Sequence, residues 1–344
     1  KSSRFPEMRP KWILSMPDGL LMIEKSIENL DVKKIYDNVV IICLREHLDQ
    51  YISPNVLKNS FEKNYGIRPK LAILDKPTSS QSESVYLGLK KAKVKGSIFI
   101  KDCDNTFSFK FEGKNQVAVI DLNQQGLVDA KSYSYVKVDK LGFINNIVEK
   151  NVIGNLFCCG GYGFEDVKDF YKSYESIKSK DEVYISHVIF SLLLKGERFK
   201  AKEASLYKSW GTLREYRSYQ RKHLTLFADV DGVLLENGSK FSKGGWKTPV
   251  IQENIEAIKE LSEKCDLYLV ITTSRPESEK EYLFRALNKK GVFPDACLFG
   301  LPHCKRVLLN DFTSTNPYPT AISINIERNS KKLRSHLLGP NVVE

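Results

Sequence analysis

Nowhere in its 344 residues does this chain carry an apolar run near the ~18 residues a membrane-spanning helix needs. The longest runs, such as "VIFSLLL" at 188–194, are the size of core segments. No secretory leader is legible at the start, although the chain opens on Lys1 rather than Met, so residues upstream of Lys1 are expected. Cys-x-x-Cys is missing too. The seven cysteines (Cys43, Cys103, Cys158, Cys159, Cys265, Cys297, Cys304) are odd in number, and several lie inside strand-like apolar runs. That argues against a disulfide framework or a zinc knuckle and for reduced, buried thiols in a cytoplasmic protein. No internal repeat is present. The net charge of +11 comes from lysines scattered among acids, as in "KKAKVKG" and "NSKKLRSHL", without interleaved aromatics. This points away from a nucleic-acid binder and toward a solvated surface, with a general attraction for phosphorylated ligands as the second reading.

With 42% hydrophobic and 28% charged residues, the composition is that of a globular protein, and the length suits two domains. Between 20 and 120, helix-like segments ("GLLMIEKSIENL", "SPNVLKNSFEKNYG", "SESVYLGLKKA") alternate with strand-like ones ("NVVIICL", "KLAILD", "SIFIKD"). Alternation of this kind predicts a layered, largely parallel sheet, and Gly66 is a plausible helix C-cap. From about 115 to 165 the pattern becomes strands joined by turns ("QVAVIDL", "YSYVKVD", "GFINNIVEK", "LFCCGGYGF"), which predicts an antiparallel extension. A polar helix, "TLREYRSYQRKH", marks the domain boundary, giving domains 1–218 and 219–344. Beyond it alternation resumes: strand "LTLFADV", helix "PVIQENIEAIKELSEK", strand "DLYLVIT", helix "ESEKEYLFRALNKKG", strand "RVLLND", with "TAISINI" closing the sheet. The fold class expected is α/β, two Rossmann-like α/β/α domains.

In the second half three strands end in polar residues: Asp229 and Asp231 after "LFA", Thr272, Thr273 and Ser274 after "LVI", Asn310 and Asp311 after "VLL". The carboxyl ends of neighbouring parallel strands converge on one crevice, so these groups would meet. Asp-x-Asp-Gly alone is more often a turn; three such strand ends in this order are hard to ascribe to turns. The set resembles the haloacid dehalogenase superfamily of phosphatases. The resemblance implies Asp229 as nucleophile, Asp231 as acid and base, and Thr273 as a hydrogen-bond donor to the phosphoryl group. It also implies Lys305 as the neutralising cation, with Arg306 and His303 as competitors, and Mg²⁺ held by Asp229 and Asp311. Only a loop and one helix fit between Asp231 and Thr273, so a capless domain is expected.

The first half opens with "KSSRFPEMRPKW", which alone could be a basic surface loop. Further on, "SSQSESV" could be a serine-built helix start, and "IFIKDCDNTF" ends a strand on two carboxylates, which is costly unless a cation sits between them. Together with "NIVEKNVIGNLFCCGGYGF", these stretches resemble the sugar-phosphate nucleotidyltransferases, whose leading glycines would lie upstream of Lys1. The likeness implies a mixed-sheet nucleotidyltransferase fold. It assigns Ser2 and Ser3 to the triphosphate loop, Arg4 and Lys11 to charge neutralisation as pyrophosphate leaves, and Gln81 and Ser82 to the nucleobase. It also gives Asp102 and Asp104 to the metal, and Glu149, Lys150 and Gly161 to the sugar. One departure stands out: where the family carries a second metal aspartate shortly before Gly-Thr, this chain has "YKSWGT". Either Asp102 supplies that carboxylate or the metal takes fewer protein ligands.

The function these resemblances imply is a bifunctional, Mg²⁺-dependent enzyme of activated-sugar synthesis. One half would join a nucleotide to a sugar 1-phosphate and the other would hydrolyse a phosphomonoester, as in bacterial capsule, lipopolysaccharide or glycoprotein pathways. Two alternatives stay open: a second half acting on an unrelated ester or inactive, and a basic, non-enzymatic binding module. Nucleoside triphosphate and sugar phosphate are the partners expected, and a homo-oligomer is compatible.

Overall fold

The computed structural model describes residues 9–30, 32, 38–124, 130–178, 182–311, 321–339 and 342. The chain divides into two compact units, Lys1–Gly211 and Thr212–Glu344. The division falls ahead of the polar helix, not inside it at 218. The reason is local: Thr212 accepts from the Glu215 N–H at 3.2 Å while the Glu215 carboxylate accepts from the Thr212 N–H at 2.7 Å. This reciprocal cap starts helix Leu213–Arg221 as a single element that runs directly into the next strand.

In the first unit, β1 (Val40–Leu44) and β2 (Lys70–Leu74) pair in parallel. Two helices join them, α1 (Arg45–Gln50) and α2 (Pro54–Tyr65). Proline at the first position of α2, where no N–H is needed, and Gly66 at φ +66° fix its two ends. Leu57 and Phe61, one turn apart, are sealed against Ile41 and Cys43, the inward-facing alternate residues of β1. Next come α3 (Gln81–Lys91), capped by Ser80, then β3 (Ile98–Lys101) and β4 (Asn105–Ser108). The main sheet is mixed. Its order is β7 (Ile144–Glu149), β6 (Ser134–Val138), β8 (Leu156–Phe164), β5 (Gln116–Asp121), β9 (Lys200–Glu203), with β3 also on β8. Only the β5–β9 contact is parallel, so the expected antiparallel extension is present. Helices α4 (Val167–Ile177) and α5 (Ile185–Leu194) pack Phe170, Val188 and Ile189 onto this sheet. Finally β10 (Ser205–Ser209) pairs antiparallel with β4.

The second unit begins with α6 (Leu213–Arg221) and holds a parallel sheet in the order β11 (His223–Asp229), β12 (Asp266–Thr272), β13 (Ala296–Leu298). Helix α7 (Gln252–Lys264) presents Ile255, Ile258 and Leu261 to Ala228, Leu269 and Ile271. The buried Asn254 amide ties the turn after β11 to the C-terminal segment, donating to the carbonyls of Val233 and Ser330 at 2.7 Å each. Helix α8 (Lys280–Asn288) crosses over to β13 and α9 (Leu333–Leu337) closes the core. Between Asp231 and Thr273 the only helix is α7. Two expected strands are not formed. Residues 306–311 have no regular structure, and Val307, Leu308 and Leu309 are 74%, 57% and 91% exposed. Residues 321–326 likewise lack a ladder, although Ile324 and Ile326 rest on the core. An apolar run becomes a strand only when a neighbour takes up its backbone hydrogen bonds. No helix among the described residues is long and apolar enough to cross a membrane.

Candidate functional site

Acidic side chains gather at one strand end in each unit. In the first, the chain leaves β3 at Lys101, turns through Asp102, Cys103 and Asp104, and enters β4. Two backbone bonds pin the turn: Asp102 N–H to the Gly160 carbonyl and Trp210 N–H to the Asp104 carbonyl, both 2.8 Å. The Lys101 ammonium lies beneath it. Its Nζ donates to the carbonyls of Asp102 and Asn105 at 2.7 Å each and to Asn105 Oδ1 at 2.6 Å. It also stands 4.6 Å from the centre of the Phe107 ring. Burial pushes this ammonium down to about 8.

The two carboxylates differ. Asp102 accepts from the side-chain amide of Gln81, the first residue of α3, and burial together with the Asp104 charge pushes its carboxyl up to about 7. Asp104 pairs with Lys11 at 2.9 Å, and the same Nζ donates to the Gly211 carbonyl at 2.6 Å. Burial works against the Lys11 charge, but Asp104 outweighs it and the ammonium is held above the usual lysine value. Strand β8 lines the turn. Gly160 has φ +85°, and a Cβ there would lie 2.6 Å from Asp102 Oδ2, so only glycine fits.

Several expected assignments need correction. Ser82 is fully buried and donates to the Val183 carbonyl, so it supports α3 from inside and is closed to a nucleobase. Gly161 makes room for packing: a Cβ would fall 2.6 Å from the Phe107 ring and 2.8 Å from that of Phe99. Gly160, next to it, is the glycine that borders the acids. Glu149 ends β7 with its carboxylate accepting from the hydroxyls of Ser134 and Ser186. Lys150 follows at φ +57°, its Nζ bonded to the Tyr184 hydroxyl and 4.4 Å from that ring. Ser2, Ser3 and Arg4 lie outside the described residues.

Among the described residues no three His, Cys, Asp or Glu side chains cluster as a metal cage would require. Two carboxylates remain at the turn, and opposite Asn105 in the β4–β10 ladder stands Ser209, not an acid. A desolvated carboxyl beside a second carboxylate is nevertheless a hard-oxygen pair suited to a divalent cation. It fits Mg²⁺, which keeps water and substrate phosphate among its ligands.

In the second unit Asp229 ends β11 directly opposite Thr272 of β12. Each aspartate of this pair already has a guanidinium. Asp231, 12% exposed, is gripped by the fully buried Arg275 at 2.7 Å. Arg275 also donates to the Trp246 carbonyl at 2.7 Å, fastening the loop after β11. Asp231 Oδ1 accepts in addition from Gly238 N–H at 3.3 Å. Asp229 pairs with Arg306 at 3.0 Å, so of the three candidate cations it is Arg306 and not Lys305 that reaches the presumed nucleophile's carboxylate; Lys305 is exposed. Thr273 is wholly buried, its hydroxyl accepting from the Arg275 N–H at 3.1 Å, and so is not open to a phosphoryl group; Thr272 and Ser274 flank it half-exposed. Of the two residues expected to hold Mg²⁺ here, Asp229 is bonded to Arg306, and Asp311 is exposed on a segment without regular structure.

Three residues that shape these sites went unread in the sequence: Lys101, Gly160 and Arg275. The available signals were a lysine closing the apolar run "SIFIK", the first glycine of "CCGGYG", and an arginine two residues after Thr273.

No protein-family model matches the chain, and no curated protein matches it. Solved structures do match over about the first 62% of the chain. A nucleoside-diphosphate-sugar pyrophosphorylase from Vibrio cholerae RC9 is similar with 22% identity and a TM-score of 0.53, covering 62% of this chain and 91% of that one. A UDP-glucose pyrophosphorylase complexed with UDP-glucose is similar with 16% identity and a TM-score of 0.50, over 63% and 92% of the two chains. The first unit therefore has the mixed α/β fold of the sugar nucleotidyltransferases.

Proposed function

We propose that the first unit transfers a nucleotidyl group from a nucleoside triphosphate to a sugar 1-phosphate or similar phospho-alcohol. An acceptor phosphate oxygen attacks the α-phosphorus, the bond to the bridging oxygen breaks, and pyrophosphate leaves with the electron pair. The observation that carries this reading is the Asp102–Asp104 turn meeting Lys11 on a nucleotidyltransferase fold. Lys11 is held on Asp104 and the Gly211 carbonyl by a long, half-exposed side chain, and can turn to the leaving pyrophosphate. Arg4 adds a second cation, Ser2 and Ser3 bring backbone N–H groups to the triphosphate, and Gln81, at the head of α3, faces the base. Glu149 and Lys150 serve the sugar. Asp102 and Asp104 would hold Mg²⁺, which when bound neutralises triphosphate charge.

For the second unit the reading is phosphomonoester hydrolysis, supported by Asp229 and Thr272 at adjacent parallel strand ends with Asp231 beside them. Asp229 attacks phosphorus as Arg306 moves off its carboxylate, the bond from phosphorus to the ester oxygen breaks, and an aspartyl-phosphate forms while Asp231, entering this step as the carboxylic acid, gives its proton to the departing alkoxide. Asp231 then takes a proton from the water that hydrolyses the acyl-phosphate. Arg275 fixes the Asp231 carboxylate throughout. Removing a phosphate from a sugar bisphosphate and then activating the product would make the two units consecutive steps of activated-sugar synthesis.

The test is a matrix of nucleoside triphosphates against sugar 1-phosphates with pyrophosphate detection, run beside phosphate release from sugar phosphates and nucleotides. At least one pair should release pyrophosphate in a Mg²⁺-dependent way. Silence throughout the first matrix refutes the transferase reading, and silence in the second leaves that unit without a phosphatase role.

A further inference from the structure

A lysine under a catalytic-type acidic turn needs a reason to be there. Burying an ammonium costs several kcal/mol unless its surroundings replace water. Lys101 is answered by three oxygens, all within 2.7 Å, and all three belong to the Asp102–Asn105 turn: the carbonyls that open and close it and the Asn105 side chain. None of the three is a carboxylate, so the ammonium spends its donors on the backbone geometry of the turn and not on a charge of its own. Its stem and head rest on the fully buried Phe107 ring, and Gly161, its partner in the β3–β8 ladder, is the residue whose missing side chain admits that ring. Glycine 161, phenylalanine 107 and lysine 101 thus form a stack with the acidic turn on top. An apolar residue at 101 would remove the donor that these three oxygens share.

We propose that Lys101 is a positioning residue for the acid pair: an internal clamp that holds the Asp102–Asn105 turn, and with it the two carboxylates, in the geometry that a divalent cation and a triphosphate require. The site has two carboxylates, and Ser209, not an acid, faces Asn105 in the β4–β10 ladder, so little redundancy remains if the turn loosens. The inference rests on the nucleotidyl-transfer reading for its activity arm alone. Its other arms stand without it.

The test compares wild type with Lys101→Met, which keeps the stem over Phe107 and removes the donors, in the full chain. Binding of Mn²⁺ alone, followed by water-proton relaxation, should weaken about tenfold or more, the usual cost of removing a group that orients a metal ligand. Amide exchange should rise in the peptide covering 98–108 while peptides from α2 and β5 stay as protected as before. In turnover, kcat should fall with KM for the triphosphate changed by less than about twofold, since the triphosphate contacts themselves are untouched. Asn105→Ala removes one of the three acceptors and keeps the lysine. It should shift Mn²⁺ affinity the same way by a smaller factor, and it decides the matter if Lys101→Met does not fold. Unchanged Mn²⁺ affinity in the folded variants, or exchange that rises throughout the unit, overturns the clamp. A wild type that binds Mn²⁺ in a Lys101-dependent manner but releases no pyrophosphate in any pairing would retain the clamp and remove the transferase.

Discussion

Asp-x-Asp follows an apolar strand in both units, as "KDCDN" and as "ADVDG", and the two pairs are kept in opposite electrostatic conditions. At Asp102 and Asp104 the partners are looser. Asp102 has an amide for a partner, and Asp104 has a half-exposed lysine that can leave. At Asp229 and Asp231 each carboxylate carries an arginine, one of them wholly buried. In the first pair the Asp102 carboxylate is bonded to an amide and Asp104 to a half-exposed lysine; in the second, Asp231 is bonded to a buried arginine and Asp229 to a half-exposed one. A shared three-residue motif therefore says little about how a site is charged, because the deciding residues arrive from other strands and loops.

The comparison breaks most visibly in activity. Asp104→Ala should reduce pyrophosphate release by on the order of 10³-fold or more and leave phosphate release intact, and Asp229→Asn should do the reverse. One folded variant that silences both reactions would show that the units do not carry separate sites.

Stability separates the pairs next. Arg275→Met strands a nearly buried Asp231 carboxylate, a loss of about 3–5 kcal/mol. The corresponding change at the first pair, Lys11→Met, removes a half-exposed partner and should cost about 1 kcal/mol or less. Urea unfolding of the second unit, followed at Trp246, reads the first effect. Adding Asp231→Asn to Arg275→Met should restore most of it, because no buried charge is then left alone. A loss below about 1 kcal/mol for Arg275→Met would mean that water already reaches Asp231.

Geometry gives a smaller effect. Gly160→Ala combines a left-handed backbone with a Cβ 2.6 Å from Asp102 Oδ2, so the carboxylate has to move. Gly196→Ala shares the positive φ and meets nothing within 4 Å. Both should lose about 1–2 kcal/mol of stability, while pyrophosphate release falls only for Gly160→Ala, by about 10- to 100-fold. Equal activities in the two variants would detach Gly160 from the site.

These residues also mark the limit of what the chain discloses before it folds. Alternating apolar runs made most elements of the first unit legible, including the Gly66 cap and the switch to antiparallel strands, because those depend on neighbours a few residues away. Lys101 faces Gly161 and Asp102 meets Gly160 only because β3 pairs with β8, and Arg275 reaches Asp231 across some forty residues, so neither relation has a local trace. Ser82 and Thr273 were off by a face: on α3 and just past β12, one position decides whether a hydroxyl points into the core or out of it. The run "RVLLND" has the composition of a strand, but composition supplies no partner for its backbone.

The smallest effect concerns protons, and it tests the claim that the Asp102 carboxylate is bonded to an amide and, among the described residues, to no cation. The Asp102 carboxyl sits at about 7 in the folded chain against 3.8 for an unperturbed aspartate. The folded state therefore keeps a proton that the unfolded chain has already lost between those values. Stability must then fall as pH rises from about 4 to about 7 and level off above, since the state with more bound protons is weakened by their removal. Asp102→Asn has nothing to titrate and should flatten that part of the curve in metal-free protein. Mg²⁺ should stabilise wild type most above pH 7, where proton and ion no longer compete, and should do less for Asp102→Asn. If the slope persists in Asp102→Asn, the proton belongs to another group.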